Sequence, residues 1–308
     1  MRDIKNPRLR RAYRQRYLIL MLLPMVIWLI VFSYIPLWGW YKAFVNFRLG
    51  VPFLEQEFVG LRHFVDLFGS ARFHNAFRNT IIMSLLSITI NGFIMPIFFA
   101  LVLNEVKPMR FKKAVQTISY LPHFVSWVVV SGIVIQVLSP ETGIINQLLM
   151  QLRIIDAPIN FLAREEYFYG IITVADLWKS LGWNSIIFFA AIAGIDQELY
   201  EAAEVDGAGR LRKIWNVTLP SIRPTIVIIF IISIGGLVST GFERQMLLSN
   251  ALTMNRAEVL DLYALRFGIG MMRFSYGTAV GIFKSVISVA LMLTANYVSK
   301  RVSGDSLI

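Results

Sequence analysis

Residues 80–103 read TIIMSLLSITINGFIMPIFFALVL and contain no Asp, Glu, Lys or Arg. A helix of about 20 residues crosses a bilayer core about 30 Å thick, so this stretch is long enough to span a membrane. Strands of outer-membrane barrels span it with about 10 residues and alternate in polarity, which this stretch does not. The stretch therefore predicts a transmembrane helix.

Five further apolar stretches of similar length lie on either side of it, at residues 17–34, 118–138, 169–195, 224–240 and 277–298. The whole chain is 56% hydrophobic and only 16% charged, against about 25% charged in an average soluble domain. These patterns predict an all-α membrane protein with six transmembrane helices, formed by one domain over residues 1–308. The absence of cysteine excludes disulfides and thiolate sites.

Basic residues are concentrated in alternate connections between the predicted spans. The first seventeen residues hold Arg2, Lys5, Arg8, Arg10, Arg11, Arg14 and Arg16 against one acid, Asp3. The connections after the second and fourth spans and the C-terminal end are also rich in Lys and Arg. The positive-inside rule therefore predicts that both termini are cytoplasmic, and the basic N-terminal run is expected to contact anionic membrane lipid rather than nucleic acid.

The connection at 196–220 has the most distinctive order of residues, since residues 201–220 read EAAEVDGAGRLRKIWNVTLP. Its first part is made of good helix formers, and Gly207 permits a strained turn. From Arg210 an amphipathic helix is able to resume, and Pro220 and Pro224 are expected to set the entry to the fifth span. The pattern predicts a helix–turn–helix bracket on the cytoplasmic side, although a plain interfacial loop is the simpler alternative.

The same residue order resembles the EAA loop of binding-protein-dependent ABC importer permeases. In that family the loop forms a coupling helix that contacts an ATPase subunit. The resemblance implies this role for Glu201, Ala202, Ala203, Asp206, Gly207, Ala208, Trp215, Leu219 and Pro220. One departure is Ile214, where an aromatic residue is usual in the family, and Trp215 beside it is the residue expected to fill the same position.

Three other stretches are similar to the carbohydrate-uptake branch of this family: VGLRHF at 59–64, QTISYLPHFVSW at 116–127 and GIDQELYEAA at 194–203. The likeness is strongest to permeases for oligosaccharides and polysaccharide fragments. It implies the type I ABC importer permease fold in the bacterial cytoplasmic membrane. It also implies four kinds of partner: a second related permease subunit, two ATPase subunits, an extracytoplasmic solute-binding protein and an oligosaccharide substrate.

The chain contains no phosphate-binding Gly-x-x-x-x-Gly-Lys-Ser/Thr loop, no His-Glu-x-x-His zinc signature and no Gly-x-Ser-x-Gly nucleophile elbow. We therefore expect a transport subunit that is not itself an enzyme and has neither cofactor nor metal of its own. ATP and Mg are expected to bind to the partner ATPase.

Several ionisable and polar residues lie within or next to the spans, where they usually face a partner or an aqueous cavity. They are Asp176, Trp178, Lys179, Trp183 and Asn184 in the fourth span, Glu243 after the fifth, and Lys284 in the sixth. One interpretation is a set of internal ion pairs, with Lys179 paired to Asp176 or Glu243. The other is a vestibule for sugar, in which lysines meet uronic acids or, with a neutral cargo, remain paired to carboxylates. Both can hold at once.

Two functions of other classes remain as alternatives. An ion-coupled secondary carrier usually shows inverted repeats and discontinuous helices, and the sequence shows neither. A membrane enzyme acting on lipid-linked sugars would need a catalytic acid cluster, but His63, His74 and His123 are scattered and Glu165 and Glu166 lie in an ordinary outer connection.

Overall fold

The computed structural model describes residues 15–303, and in this part of the chain the only extended pairing is one bridge between Val45 and Phe58. The described residues are otherwise helical or irregular, which confirms the predicted all-α class. The α-helices are α1 Arg16–Leu29, α2 Arg62–Phe68, α3 Ala71–Leu86, α4 Met95–Asn104, α5 Met109–Tyr120, α6 Trp127–Leu138, α7 Ile144–Gln151, α8 Phe168–Ala193, α9 Gln197–Val205, α10 Arg210–Lys213, α11 Leu219–Gly235, α12 Glu243–Leu248, α13 Met254–Ala257, α14 Leu260–Ala264 and α15 Phe274–Ser303. Short 3₁₀ segments lie at Ile35–Phe44, Phe53–Glu55, Leu121–Phe124, Phe161–Ala163 and Glu165–Tyr167.

Four continuous helical stretches among the described residues are long and apolar enough to cross a membrane, and a bent pair of helices makes a fifth if it is one span. They are Arg16–Phe44, Ala71–Asn104, Arg210–Gly235 and Phe274–Val298, with Met109–Phe124 and Trp127–Leu138 as the bent pair. Helix α8 has 26 residues but is not in this set, because polar residues such as Asp176 and Lys179 lower its hydropathy. The count of six spans therefore stays a prediction.

Three prolines in these long helices each stand two residues after the end of a π-helical turn. The turns Ile30–Tyr34, Ser87–Ile94 and Ile214–Thr218 precede Pro36, Pro96 and Pro220. A proline ring clashes with the carbonyl four residues earlier and leaves it without a donor, and in each case that carbonyl belongs to the π turn. The wider turn relieves the clash, so the helices continue past these prolines.

This continuation changes the bounds of the predicted fifth span. The sequence predicted an entry set by Pro220 and Pro224 and a span at 224–240, whereas the helix runs without a break from Arg210 to Gly235. It ends at Gly235, followed by Gly236 and an irregular segment. The predicted stretch 118–138 is likewise divided, because the chain bends by 102° between Phe124 and Trp127. Here Ser126 starts a new helix by accepting a hydrogen bond from the Val129 amide.

The core lies between α3, α8, α11, α14 and α15. One buried cluster joins Phe73 of α3 to Tyr263 and Tyr276, and another joins Ala100, Phe188 and Ile222 near the predicted inner side. Helix α1 is different, because every residue from 16 to 38 is exposed. Only the end of its continuation packs on the body, where Ala43 is buried beside Ala279.

Candidate functional site

The bracket at 196–220 begins with a capped helix. The carboxylate of Asp196 accepts a hydrogen bond from the Glu198 amide at 3.0 Å, which satisfies one of the free donors at the start of α9. Helix α9 ends at Val205, as the run of good helix formers predicted. The helical first arm of the bracket is therefore present where the sequence placed it.

The turn of the bracket depends on Gly207, whose φ is +75°. The Ala208 amide donates to the Ala203 carbonyl at 2.9 Å and the Gly207 amide to Glu204 at 3.0 Å, which closes the end of α9. A Cβ at Gly207 would meet nothing within 4 Å. Glycine is required here by the backbone conformation and not by lack of space.

The two arms of the bracket are held together by side chains that the sequence did not single out. The Tyr200 hydroxyl lies 2.9 Å from the Thr218 hydroxyl, and Thr218 is buried. Lys213 Nζ donates to Glu204 Oε2 at 2.8 Å, and this bond lowers the pKa of the exposed Glu204 carboxyl below its ordinary value. The two arms of the bracket are therefore joined by contacts within this chain.

The surface of the bracket is unusually apolar for an exposed helical turn. Val205 is 88% exposed, Leu211 73% and Trp215 69%. The predicted contact residues Glu201, Ala202, Asp206, Gly207 and Pro220 are exposed as well, whereas Ala203, Ala208 and Leu219 are half-buried. Exposed apolar side chains of this size, next to charged ones, are typical of a surface that another protein covers.

A second site lies within the spans, where Asp176 of α8 pairs with Arg244 at a distance of 2.7 Å between Oδ2 and Nη1. Both side chains are largely buried, at 14% and 11% exposure. Ser87 and Asn91 donate to the same carboxylate oxygen at 3.2 and 3.0 Å. The structure thus corrects the predicted partner of Asp176, which is Arg244 and not Lys179.

Lys179 lies one turn after Asp176 and makes different contacts. Its Nζ donates to the backbone carbonyl of His123 at 2.5 Å and lies 5.9 Å from the centre of the Trp127 ring. Asp176 is paired with Arg244, and within residues 15–303 Glu243 is exposed and forms no ion pair. Neither carboxylate therefore pairs with Lys179. The predicted Lys179 ion pairs are therefore not formed.

Lys284 of α15 forms an ion pair with Asp261 of α14. The other carboxylate oxygen of Asp261 accepts a hydrogen bond from the Gly241 amide at 2.9 Å. The segment that follows α11 is thereby tied to α14 and α15 at Gly241 and to α8 at Arg244. The sequence indicated Lys284 but not its partner, since Asp261 lies in a predicted outer connection outside every apolar stretch.

Four residues of the predicted path line three separate cavities. Trp183 and Asn184 line one of about 520 Å³ between α8, α11 and the π turn at Ser87–Ile94. Glu243 lines one of about 550 Å³ together with Trp127. Trp178 lines a third, apolar groove of about 580 Å³. The structure therefore does not gather all the predicted path residues in one vestibule.

His123, which the sequence did not assign to the path, contacts Trp183 of the first cavity. Its ring stacks on Trp183 with a centroid distance of 4.3 Å and an angle of 2°. Asn184 donates to the Asn91 carbonyl at 2.9 Å, which fixes the wall of the cavity beside Trp183. No group of three or more metal-binding side chains occurs within the described residues 15–303.

Comparisons with known proteins agree with this architecture. Residues 70–304 match the model of the family described as the binding-protein-dependent transport system inner membrane component. Protein LplB of Bacillus subtilis (strain 168) is 40% identical over 294 residues, covering 96% of this chain and 92% of that protein. The polygalacturonan/rhamnogalacturonan transport system permease protein YteP of the same organism is 40% identical over 297 residues, with the same coverage.

Solved structures give the same result for the fold. A chain of a bacterial ABC transporter involved in the import of the acidic polysaccharide alginate superposes with a TM-score of 0.88 at 40% identity, covering 97% of this chain and 100% of that one. A chain of the alginate transporter in complex with a periplasmic protein that holds an alginate pentasaccharide gives the same score and covers 99% of that chain.

The fold and the bracket define a membrane-spanning subunit of an ABC importer. The chain belongs to the family of binding-protein-dependent transport system inner membrane components. It is a transport subunit, which confirms the resemblance seen in the EAA-like loop and sets aside the carrier and enzyme alternatives.

Proposed function

We propose that this chain is one of two permease subunits of an importer that moves an oligosaccharide from a solute-binding protein into the cytoplasm. The observation that supports this most directly is the bracket, which has two arms in contact with each other, an exposed apolar surface and a direct connection to a membrane helix. A secondary carrier is driven by an ion gradient, so it does not need a docking surface for an ATPase.

The bracket is proposed to contact an ATPase subunit, which would bind ATP and Mg. Leu211 and Trp215 lie on one arm of the bracket, and Val205 at the end of the other, and these exposed apolar side chains would supply most of the buried contact area. The arm that begins at Arg210 continues to Gly235 over 26 residues, or about 39 Å of helix. A shift of the bracket would therefore move the whole fifth helix.

A second related permease is proposed to cover the surfaces that this chain leaves open. The most apolar part of the stretch Arg16–Phe44 has no buried residue, and only the end of the stretch near Ala43 packs on its own subunit. The exposed part is consistent with packing against lipid and a neighbouring subunit. With six spans, both termini and the bracket would be cytoplasmic, and the solute-binding protein would dock on the opposite face.

The cargo is proposed to be an oligosaccharide because several similar proteins are named as parts of transport systems for polysaccharides or oligosaccharides. These include the permease for polygalacturonan/rhamnogalacturonan and the alginate importer. The arabinooligosaccharide permease AraP of Bacillus subtilis (strain 168), 27% identical over 253 residues, is a more distant example. A sugar chain needs aromatic faces and polar groups, and Trp183 and Asn184 offer both in one cavity.

The residues first grouped as a path are now divided by their contacts. Trp183 and Asn184 are proposed to face the cargo, with Lys179 one turn away on the same helix. Asp176 and Lys284 are proposed to be structural, because each is neutralised by a partner.

Purification of the tagged chain from its native host tests the proposal. A second permease and an ATPase should co-purify, and the binding protein loaded with an oligosaccharide should stimulate ATP hydrolysis in proteoliposomes. Uptake that requires an ion gradient and no ATP would contradict it. The bracket variant Trp215→Ala should weaken co-purification of the ATPase while the permease pair stays assembled, and Trp178→Ala, in an apolar groove far along the chain from the bracket, is the matched control.

A further inference from the structure

Lys179 is a cation of α8 that forms no ion pair with any carboxylate within residues 15–303. Among the described residues its one hydrogen-bond acceptor is the His123 carbonyl, which is neutral. A lysine ammonium has three donors, so two remain for another partner. The nearby carboxylate of Asp176 is already occupied by Arg244, Ser87 and Asn91.

The other cations of this region do not share this property. Arg244 is paired with Asp176 at 2.7 Å, and Lys284 is paired with Asp261. The group formed by Asp176, Arg244 and Lys179 therefore has one excess positive charge. Ionisable groups at membrane depth are costly unless a partner or an aqueous cavity compensates them, so an excess charge here requires an explanation.

The surroundings of Lys179 are suited to a sugar. Trp183 follows it by four residues, which places both side chains on the same face of α8. Trp183 is 45% exposed and is held against the His123 ring on one side, so its position is fixed while part of its surface is open. It also lines the cavity of about 520 Å³ that contains Asn184 and Ser87.

We propose that Lys179 binds a carboxylate of the cargo and that the importer is therefore selective for oligosaccharides of uronic acids. This inference rests on the proposed function. The sugar ring would lie against Trp183, and its carboxylate would accept charge-assisted hydrogen bonds from the free donors of Lys179. The centre of the Trp127 ring lies 5.9 Å from the Lys179 ammonium and 6.0 Å from the Arg244 guanidinium, so this aromatic ring is close to both cations.

A structural role for Lys179 makes a different prediction. Its bond to the His123 carbonyl lies at the end of the 3₁₀ segment Leu121–Phe124, where a basic side chain can satisfy a free carbonyl. If that were its whole role, loss of the ammonium would loosen the bend between α5 and α6. Transport of every cargo would then fall by the same factor.

The experiment compares two cargoes in the complete importer reconstituted in proteoliposomes. One is a uronic acid oligosaccharide, and the other is the same oligosaccharide with its carboxylates methyl-esterified. Lys179→Met should reduce uptake of the acidic form by about tenfold or more, the factor expected for loss of one charge-assisted hydrogen bond, and leave uptake of the ester unchanged. Lys179→Arg should retain the preference for the acid.

Two control variants separate the remaining explanations. Glu243→Gln removes the acid that lines a cavity with Trp127, and this variant should keep the selectivity of the importer for the acidic cargo. A gain in ester uptake with this variant would instead show that Glu243 is the partner of Lys179.

Lys284→Met should affect uptake of both cargoes equally, because it breaks a structural pair.

The outcomes also distinguish this inference from the proposed function. If the wild-type importer takes up only the ester, or if Lys179→Met reduces both cargoes equally, the carboxylate role of Lys179 is wrong and the permease function stands. If the wild-type importer takes up neither form but takes up a neutral oligosaccharide, the carboxylate role of Lys179 is wrong and the permease function stands. If it takes up no acidic, esterified or neutral oligosaccharide, the proposed function itself fails.

Discussion

Gly182 of α8 sits where that helix touches the helix before the bend, and its replacement by alanine should separate the two. A Cβ built at Gly182 would lie 2.2 Å from the carbonyl oxygen of Ser119 and 2.4 Å from its carbonyl carbon. Ordinary contacts of a Cβ begin at about 3.4 Å. The helices would have to move apart by about 1.2 Å, the difference between these two distances. Backbone atoms cannot rotate away as the end of a flexible side chain can.

Gly170, on the same helix, provides a matched control because a Cβ there would meet nothing within 4 Å. Both substitutions replace glycine by alanine inside one helix, so any gain from helix propensity is common to the two variants. The difference between them is the cost of overpacking, about 1–3 kcal/mol. Gly182→Ala should therefore be less stable than Gly170→Ala by that amount.

The assay is denaturant-induced unfolding of the purified permease complex in detergent, followed by tryptophan fluorescence. Because Trp183 is adjacent to Gly182 and stacks on His123, the emission of the folded Gly182→Ala variant should also change. Equal stability of the two variants within about 0.5 kcal/mol, with unchanged emission, would refute the close approach of α8 to Ser119.

Three further predictions follow from the site. Asp176→Asn should destabilise the protein by about 3–5 kcal/mol because it leaves the buried Arg244 unpaired. In a double-mutant cycle, Asp176→Asn combined with Arg244→Met should destabilise the protein by clearly less than the sum of the two single changes, and additive costs would refute the pair. Gly207→Val should leave the chain inserted but abolish cargo-stimulated ATP hydrolysis, since valine resists a φ of +75°; normal stimulation would contradict the bracket assignment. In sealed cells an impermeant thiol reagent should label a cysteine placed at Thr142 but not one at Glu201, and the reverse pattern would overturn the orientation.

The sequence predicted those parts of the fold that depend on local properties. An uncharged stretch long enough to span a bilayer has few alternatives to a helix, so residues 80–103 were assigned correctly as part of the helix Ala71–Asn104. The turn of the bracket was equally predictable, because a positive φ at a helix end strongly favours glycine, and Gly207 supplied it. Hydropathy could not place the start of the helix Ala71–Asn104, since its first two turns carry Arg72 and Arg78.

What the sequence could not predict depends on contacts between distant segments. The sequence placed the entry to the fifth span at Pro220 and Pro224, but Pro220, like Pro36 and Pro96, follows a π turn whose presence depends on packing around it. The partner of Asp176 was equally hidden. Lys179 is three residues away on the same helix and looked the better candidate. Arg244 reaches Asp176 because α12, which follows Gly235 in the chain, packs against α6.

The segment from Gly236 to Leu248 connects the two candidate sites. The fifth helix runs from the bracket to Gly235, and the residues that follow are held by polar contacts on three sides. Leu237 accepts a hydrogen bond from Ser84, the Gly241 amide donates to Asp261, and Arg244 pairs with Asp176. A displacement of the bracket would therefore be passed along the fifth helix and through these polar contacts to Asp176, one turn from Lys179. Since an ion pair within the spans has no water to replace its partner, it constrains the segment to move with α8 and not past it. On this reasoning the two buried pairs join the end of the fifth helix at Gly235 to α8, α14 and α15, so we expect Asp176 and Asp261 to be needed for transport although neither is proposed to contact the sugar.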